Sequence, residues 1–306
     1  MPVKIVFLIS PKTHFLDLAG PDQVFFEARD YGAPFELEYC SYSDKPSTSS
    51  GLPFGKLKHF SRVHLSKGDF IFIPGVDIQL LLSKETTKQD ALFNWLKKAY
   101  SREVNICTVC TGTFLLAASG LLDGKNCTTH WKRTAQLKKE YPQLNVIENV
   151  LFTEDNGIYT SAGIASGIDM ALHIVEKLMG EYFAHKVARE LVLYMRRSGN
   201  QPQESLFLNY RNHIHAGIHK AQDWITENIH KKASLAELAR TACMSNRNFT
   251  RVFKKETGIT VNDFITMVRK EKLKELVKNP DLSRLQLAGH IGLRSERQLS
   301  RLIHSN

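Results

Sequence analysis

No run of apolar residues in this chain approaches the roughly 20 that a helix needs to cross a bilayer. The apolar stretch behind Met1-Pro2-Val3-Lys4, residues 5–9, is too brief for a secretory signal core, and no small-residue cleavage site follows it. Cysteine is sparse and odd in number, five scattered over 306 residues, which argues against a disulfide framework. Cys107-x-x-Cys110 has no second pair to complete a four-ligand zinc site, and Cys107 falls within an apolar strand pattern, which speaks against a redox pair. These absences lead us to expect a cytoplasmic protein with no membrane partner, no metal and no cofactor.

What is present is positive charge, unevenly placed. Of a net +10, residues 213–306 carry +8, with 17 Lys and Arg against nine Asp and Glu, and residues 1–212 carry only +2. A basic third joined to a near-neutral remainder is the footprint of a nucleic-acid-binding domain, although a solvated basic surface has the same charge.

The first 200 residues alternate strand and helix patterns. Val3–Ile9, Phe70–Ile73 and residues 104–107 are short apolar runs suited to buried parallel strands, and residues 35–39 alternate as a less buried one. Helical periodicity occupies residues 18–28, 89–100 and 112–119, and then 168–178 and 182–194. This order predicts an α/β domain with a mainly parallel sheet. Turn formers without apolar periodicity fill residues 197–205, and everything beyond reads as helix. The expected organisation is a first domain over residues 1–200, a linker over 201–212 and an all-α domain over 213–306.

The helical part contains an internal repeat. Ser234-Leu-Ala-Glu237 and Ser283-Arg-Leu-Gln286 both read as capping boxes, 49 residues apart, and each runs into Leu-Ala. Second helices begin at Ser245 and Ser295, 50 residues apart, and carry Arg251-Val-Phe253 and Arg301-Leu-Ile303. A capped helix, a short turn and a helix with a polar leading end make a helix-turn-helix unit, so two units are predicted. Asn246, Arg247 and Asn248 open the first reading helix, with Phe249, Val252 and Phe253 on its core side. Ser295, Glu296, Arg297 and Gln298 open the second, with Leu299, Leu302 and Ile303 behind. Arg pairs with guanine and Asn or Gln with adenine, while Arg251, Lys254, Lys255 and Arg301 are placed for phosphates. One helix over residues 261–279, about 28 Å long, is predicted to join the units, close to the roughly 34 Å between successive major grooves.

Leu235-Ala-Glu-Leu-Ala239, Met244-Ser-Asn-Arg-Asn-Phe-Thr-Arg-Val-Phe253 with Gly258, and Gly292-Leu-Arg-Ser-Glu-Arg-Gln-Leu-Ser-Arg301 resemble the AraC/XylS family domain over about 90 residues. Val261 stands where that family usually has Pro, and Ile303 where an aromatic is usual. The chain ends at Asn306, ahead of the family's closing Gly–Pro–aromatic–Arg segment, so the second unit is expected to be the less stable or the weaker in binding.

In the first domain, Val104-Asn-Ile-Cys-Thr-Val-Cys110-Thr-Gly-Thr-Phe114 is a strand that turns sharply into a helix. On such an elbow the Cys110 side chain is expected to be exposed at the sheet's C-terminal edge, with the helix N-terminus favouring its thiolate. The Thr111 N–H and a donor from the Gly75 turn suit an oxyanion. His130 is a candidate base or hydrogen-bond partner, and Asp17, at the end of the first strand-loop, a candidate acid. Each of these residue types is also common as an ordinary structural group.

Leu16-Asp-Leu-Ala-Gly-Pro21, Ile73-Pro-Gly75, Val109-Cys-Thr-Gly-Thr-Phe-Leu-Leu-Ala117, Gly120-Leu-Leu-Asp-Gly124, Thr128-Thr-His-Trp131, Thr160-Ser-Ala-Gly163, Gly167-Ile-Asp-Met-Ala171 and Met195-Arg-Arg-Ser-Gly-Asn-Gln201 resemble the ThiJ/PfpI (class I glutamine amidotransferase-like) domain of GlxA-like regulators, over residues 3–208. The resemblance implies a flavodoxin-like α/β sandwich with Cys110 on the elbow and Asp17 and His130 nearby. Val76 replaces the family's second Gly. With an AraC-type domain attached, it implies a bacterial transcription regulator rather than an enzyme, acting as a homodimer on a double-stranded DNA operator. A small-molecule effector is expected at Asp17, Gly75, Cys110, Thr111 and His130. The alternatives are a cysteine-dependent hydratase or hydrolase, and a mere dimerisation platform.

Overall fold

The computed structural model of the chain describes residues 2–81, 89–193, 197–200, 203, 210–211, 213–231, 234–277, 279 and 282–304. The chain divides into two compact units, Met1–Gln203 and Glu204–Asn306. Most of the linker expected over 201–212 lies outside the described residues, as do Tyr194, the last residue of an expected helix, and residues 305–306.

The first unit runs β1 (Val3–Ile9), α1 (Phe15–Asp30), β2 (Phe35–Ser41), β3 (Lys58–His59), β4 (Phe70–Ile73), a single turn α2 (Ile78–Leu81), α3 (Asp90–Ser101), β5 (Asn105–Val109), α4 (Gly112–Ala118), β6 (Asn126–Cys127), α5 (Thr134–Glu140), β7 (Asn145–Val146), β8 (Phe152–Asp155), β9 (Ile158–Ser161), α6 (Ala165–Met179) and α7 (Glu181–Glu190). Seven strands form one sheet in the order β3-β2-β1-β4-β5-β9-β8. All neighbours are parallel except β8 against β9. Full burial of β4 and of most of β1 and β5 explains why their sequences are mainly apolar, because helices cover both faces.

Two cores result. On one face Leu18, Val24 and Phe25 of α1, Met170 and Ile174 of α6 and Val187 of α7 pack against Ile5, Phe7 and Phe72. On the other, Leu92 and Leu96 of α3, Phe114 and Leu116 of α4 and Leu137 of α5 pack against Val6, Leu8, Ile71 and Ile106. This is the flavodoxin-like sandwich expected. Sequence reading passes over β8 and β9. Asn156 and Gly157 join them with φ of 49° and 78°, the left-handed pair of a two-residue hairpin turn. Helix α1 begins at Phe15, so Asp17 lies in its first turn and not in the preceding loop.

Strand order reverses between β1 and β4, which lead away to β2 on one side and β5 on the other. A crevice opens at the C-terminal ends of strands at such a switch point. The turns after β4 and β5 carry Gly75 and Cys110 to that point, and the first turn of α1, which follows β1, carries Asp17 there.

The second unit is helical throughout its described residues: α8 (Ala216–Glu227), α9 (Leu235–Thr241), α10 (Asn246–Thr257), α11 (Val261–Leu276), α12 (Arg284–His290) and α13 (Glu296–His304). Helices α8 to α11 enclose Ile218, Leu238, Phe249, Phe253 and Phe264. A smaller core holds Leu273, Leu287, Ile291, Leu299 and Leu302. Helix α11 serves both and spans 16 residues, about 24 Å and shorter than expected. Ile303 is 51% exposed rather than packed behind the second reading helix, because Leu299 and Leu302 already face the core. The capping box closes in both directions at Ser283 and Gln286; at Ser234 the forward bond from Glu237 N–H forms. Among the described residues no helix is long and apolar enough to cross a membrane.

Arg269 ties the two cores together, donating to the Ile291 and Gly292 carbonyls. Gly292 has φ of 72°, and a Cβ there would collide with the Ile229 carbonyl. Gly292→Ala is therefore expected to destabilise the chain by more than about 1 kcal/mol. Thermal unfolding followed by circular dichroism checks this, and an unchanged transition would contradict the packing described.

Candidate functional site

Cys110 sits between β5 and α4 with φ of 56°, a left-handed conformation unusual for a residue with a side chain. Its backbone is held at both ends: its N–H donates to the Ser161 carbonyl at 2.9 Å, and its carbonyl accepts from Thr129 Oγ1 at 2.8 Å. The elbow is present but its side chain is not exposed. Cys110 is only 5% accessible, because Gly163 lies directly against it and a Cβ there would overlap the Cys110 side chain. Burial pushes the thiol well above its ordinary value, and the Asp17 charge pushes it further; the Thr111 N–H opposes them without prevailing. The expected thiolate is corrected to a thiol at neutral pH.

Asp17 is 1% exposed in the first turn of α1. Its Oδ1 accepts from the Ile164 N–H at 2.7 Å. Ile164, with φ of 51°, is a second left-handed residue with a side chain, here β-branched. Asp17 Oδ2 is buried, and His14 Nδ1 stands 3.5 Å from it. The donor atoms of His14, Asp17 and Cys110 all lie within 4.8 Å of one another. Gly75 belongs here because it has no side chain: a Cβ would overlap Asp17 Oδ2 and stand 3.0 Å from both Cys110 Cβ and Thr111 Oγ1.

The donors expected for an oxyanion are otherwise engaged. Val76 N–H donates to Thr111 Oγ1 at 2.9 Å, and that hydroxyl donates to the Val76 carbonyl at 2.6 Å. The Thr111 N–H is directed at the Cys110 sulfur. His130 stays outside the close group. Its Nδ1 accepts from Lys132 N–H at 3.3 Å and caps the turn Trp131–Arg133, while its ring stacks on Trp131. Burial and then Lys132 hold its imidazole below the ordinary value, against a smaller pull from Asp17. The structure thus gathers Asp17, Gly75, Cys110 and Thr111, and adds His14, Gly163 and Ile164, which sequence reasoning missed. His14 and Gly163 had a signal: one lies two residues before the Leu16-Asp-Leu-Ala-Gly-Pro21 motif and the other ends Thr160-Ser-Ala-Gly163.

In the second unit, Ser245 Oγ accepts from Asn248 N–H and Ser295 Oγ from Gln298 N–H, capping the starts of α10 and α13. Asn246, Arg247 and Arg251 of α10 are exposed, as are Arg297, Gln298 and Arg301 of α13; Ser295 is half-buried. Asn248 is also half-buried, and its Oδ1 accepts from Arg251 at 2.9 Å. Gln298 Oε1 folds back onto the Arg294 N–H at 2.8 Å. Arg247, Arg251, Lys254 and Lys255 line a cationic cleft closed by Leu235, Thr260 and Asn262.

A parallel α/β sandwich with a cysteine elbow at its switch point, joined to a basic double helix-turn-helix unit, defines a DNA-binding regulator. The chain belongs to the DJ-1/PfpI family, which residues 3–177 match, and residues 225–266 match the bacterial regulatory helix-turn-helix proteins of the AraC family. Among its relatives is the HTH-type transcriptional regulator CdhR of Pseudomonas aeruginosa, 28% identical over 78% of this chain and 69% of that protein. Isonitrile hydratase of Pseudomonas putida is 31% identical over 62% of this chain and 78% of the enzyme. The sandwich also matches the crystal structure of an AraC family transcriptional regulator from Pseudomonas putida, with a TM-score of 0.54 and 19% identity, over 62% of this chain and all of that one.

Because the Asp17 carboxylate disfavours the thiolate, Asp17→Asn is expected to lower the pH at which Cys110 is alkylated. A downward shift of one unit makes labelling about tenfold faster at a fixed pH below the midpoint. Iodoacetamide labelling of the Cys110 peptide, followed by mass spectrometry across pH, checks this. An unchanged or raised midpoint would refute the charge coupling.

Proposed function

We propose that this chain is a sequence-specific transcription regulator whose hold on its operator is set by a small molecule seated at the switch point, against Asp17, Gly75, Cys110 and Thr111. The carrying observation is the pair of capped helices α10 and α13, each opening with exposed polar side chains on a basic body. Arg247 and Arg297 are assigned to base edges, with Asn246 and Gln298 beside them. Asn248, whose amide oxygen Arg251 occupies, orients that arginine toward phosphate, and Arg301 and Ser295 contact the backbone from α13.

The buried polar cluster supports the sensor half of this reading, since a few convergent polar groups meet at the switch point. A ligand shifts DNA affinity only by as much as it distinguishes two arrangements of the chain. The regulator is assigned as a homodimer paired through its first domain, in keeping with the usual symmetry of such proteins. The relationship to isonitrile hydratase favours a cysteine-dependent enzyme as second reading. Against it, a hydrolase needs a base oriented within about 2.6–3.2 Å of its nucleophile, and here His130 Nδ1 is committed to Lys132 while the thiol retains its proton.

Operator sequences obtained by selection from random duplex DNA provide the test. Arg247→Ala is expected to weaken operator binding by about 1–3 kcal/mol and to relax preference at one base pair. Unchanged affinity and preference would show the reading face to be misassigned. With wild-type chain, an effector is expected to change operator affinity and to raise the thermal transition by stabilising the first domain. Equal operator affinity with and without every small molecule that raises the transition would overturn the sensor reading.

A further inference from the structure

Arg197-Ser-Gly-Asn200 lies just before the second unit begins at Glu204, and it is fastened to the first unit at several points. The Arg197 guanidinium donates to Asp169 Oδ2 at 2.6 Å, and its backbone N–H donates to Oδ1 at 3.2 Å. The pair is charge-assisted, and Asp169 is buried on α6. The Gly199 carbonyl accepts from the N–H groups of Leu151 at 2.7 Å and Phe152 at 3.2 Å, covering the start of the edge strand β8. A Cβ on Gly199 would stand 2.7 Å from the Phe152 carbonyl oxygen, so only glycine lies this close. Gln203 Nε2 donates to the Thr129 carbonyl at 3.0 Å and to Thr128 Oγ1 at 3.3 Å.

Each fastening is a short step from a group that holds the cysteine elbow. Thr129, which accepts from Gln203, gives its hydroxyl to the Cys110 carbonyl. Leu151, which donates to Gly199, accepts from the Ala162 N–H at 2.8 Å, and the next residue is Gly163, which covers the Cys110 side chain. Asp169 belongs to the helix whose preceding residue, Ile164, donates to Asp17. We propose that residues 197–200 with Gln203 are a latch. The elbow, through Thr129 and Leu151, sets how firmly the chain entering the second unit is held, and thereby regulates operator binding. The latch rests on the reading that operator binding is set from the switch point.

A chain of contacts regulates only if it contains an element with two states that both ends bias. The strap is such an element. Residues 197–200 belong to no helix or strand, and their attachments are few and separate. Gln203 Oε1 is buried without a partner among the described residues, so release returns that oxygen to water and offsets the bonds lost. Coupling of this kind is reciprocal: what frees the strap also loosens the elbow.

The test uses the full-length Cys243→Ser chain, which lacks the exposed thiol, without DNA or any small molecule. Amide exchange in the peptide holding Leu151 and Phe152 reports the strap, and the rate of iodoacetamide labelling at Cys110 reports the elbow. Both are taken relative to exchange in β4, which removes any general loss of stability. Gln203→Ala and Gly199→Ala are each expected to raise both rates at least fivefold. Thr129→Val, which removes the hydroxyl at the Cys110 carbonyl, is expected to raise exchange at Leu151 and Phe152 at least fivefold from the opposite end. Unchanged labelling in both strap variants, or unchanged exchange in Thr129→Val, would overturn the coupling. With duplexes selected as above, Gln203→Ala is expected to change operator affinity at least threefold. Coupled rates with unchanged operator affinity would reduce the strap to a structural tie and overturn the latch, while leaving the regulator reading intact. A wild-type chain that selects no operator would instead overturn the regulator reading, and the latch's use with it, whatever the exchange rates show.

Discussion

The Asp17 carboxylate is the constraint on which the switch point depends. One oxygen fastens the start of α6 through Ile164, and the other faces the cysteine elbow. The two left-handed residues with side chains that it adjoins, Cys110 and Ile164, would relax if they were free, at a cost to the fold of roughly 1–3 kcal/mol each while they are held. Strain of this size persists only where surrounding bonds dictate it. Here they do: Ser161 and Thr129 fix Cys110, Asp17 fixes Ile164, and Gly75 and Gly163 let backbone come where side chains would block it. The same packing keeps the thiol protonated.

Anything that takes up the buried Asp17 oxygen alters the electrostatic balance among Asp17, His14 and Cys110, and Asp17 is bonded directly to the first turn before α6, a 15-residue helix. The DNA-binding unit has a different economy. Its two small cores are joined by α11 and by Arg269, and its reading helices are capped by serines and carry their charge outward.

Much of this architecture was legible in the sequence. Mainly apolar runs mark β1, β4 and β5, and offsets of 49 and 50 residues mark the doubled unit, because both are local or periodic signals. The β8–β9 hairpin was passed over, although Asn156-Gly157 marks its turn: strands of four residues give little alternation, and β9 owes its place to a non-local pairing with β5. That omission hid the burial of Cys110, since Gly163, just beyond β9, is what covers it. Asp17, Gly75, Cys110 and Thr111 were legible because each follows a strand in a motif-bearing turn. His14 was legible only as a neighbour of the Leu16–Pro21 motif, because a lone histidine gains a role only once α1 is seen to start at Phe15. His130 feels the Asp17 charge from outside the close group, and its ring is spent on its own turn. On α10 and α13 the exposed positions were readable from helical period, while the side-chain bonds of Asn248 and Gln298 were not.

The central claim is that both helix-turn-helix units of one chain read DNA together. The most direct measurement is sequencing of duplexes enriched from a random pool by the full-length protein, followed by footprinting of the winners. Each protomer's half-site is expected to hold two short conserved blocks whose centres lie about 10–10.5 base pairs apart on one face of the duplex, both protected. Enrichment of a single block, or none, would contradict it.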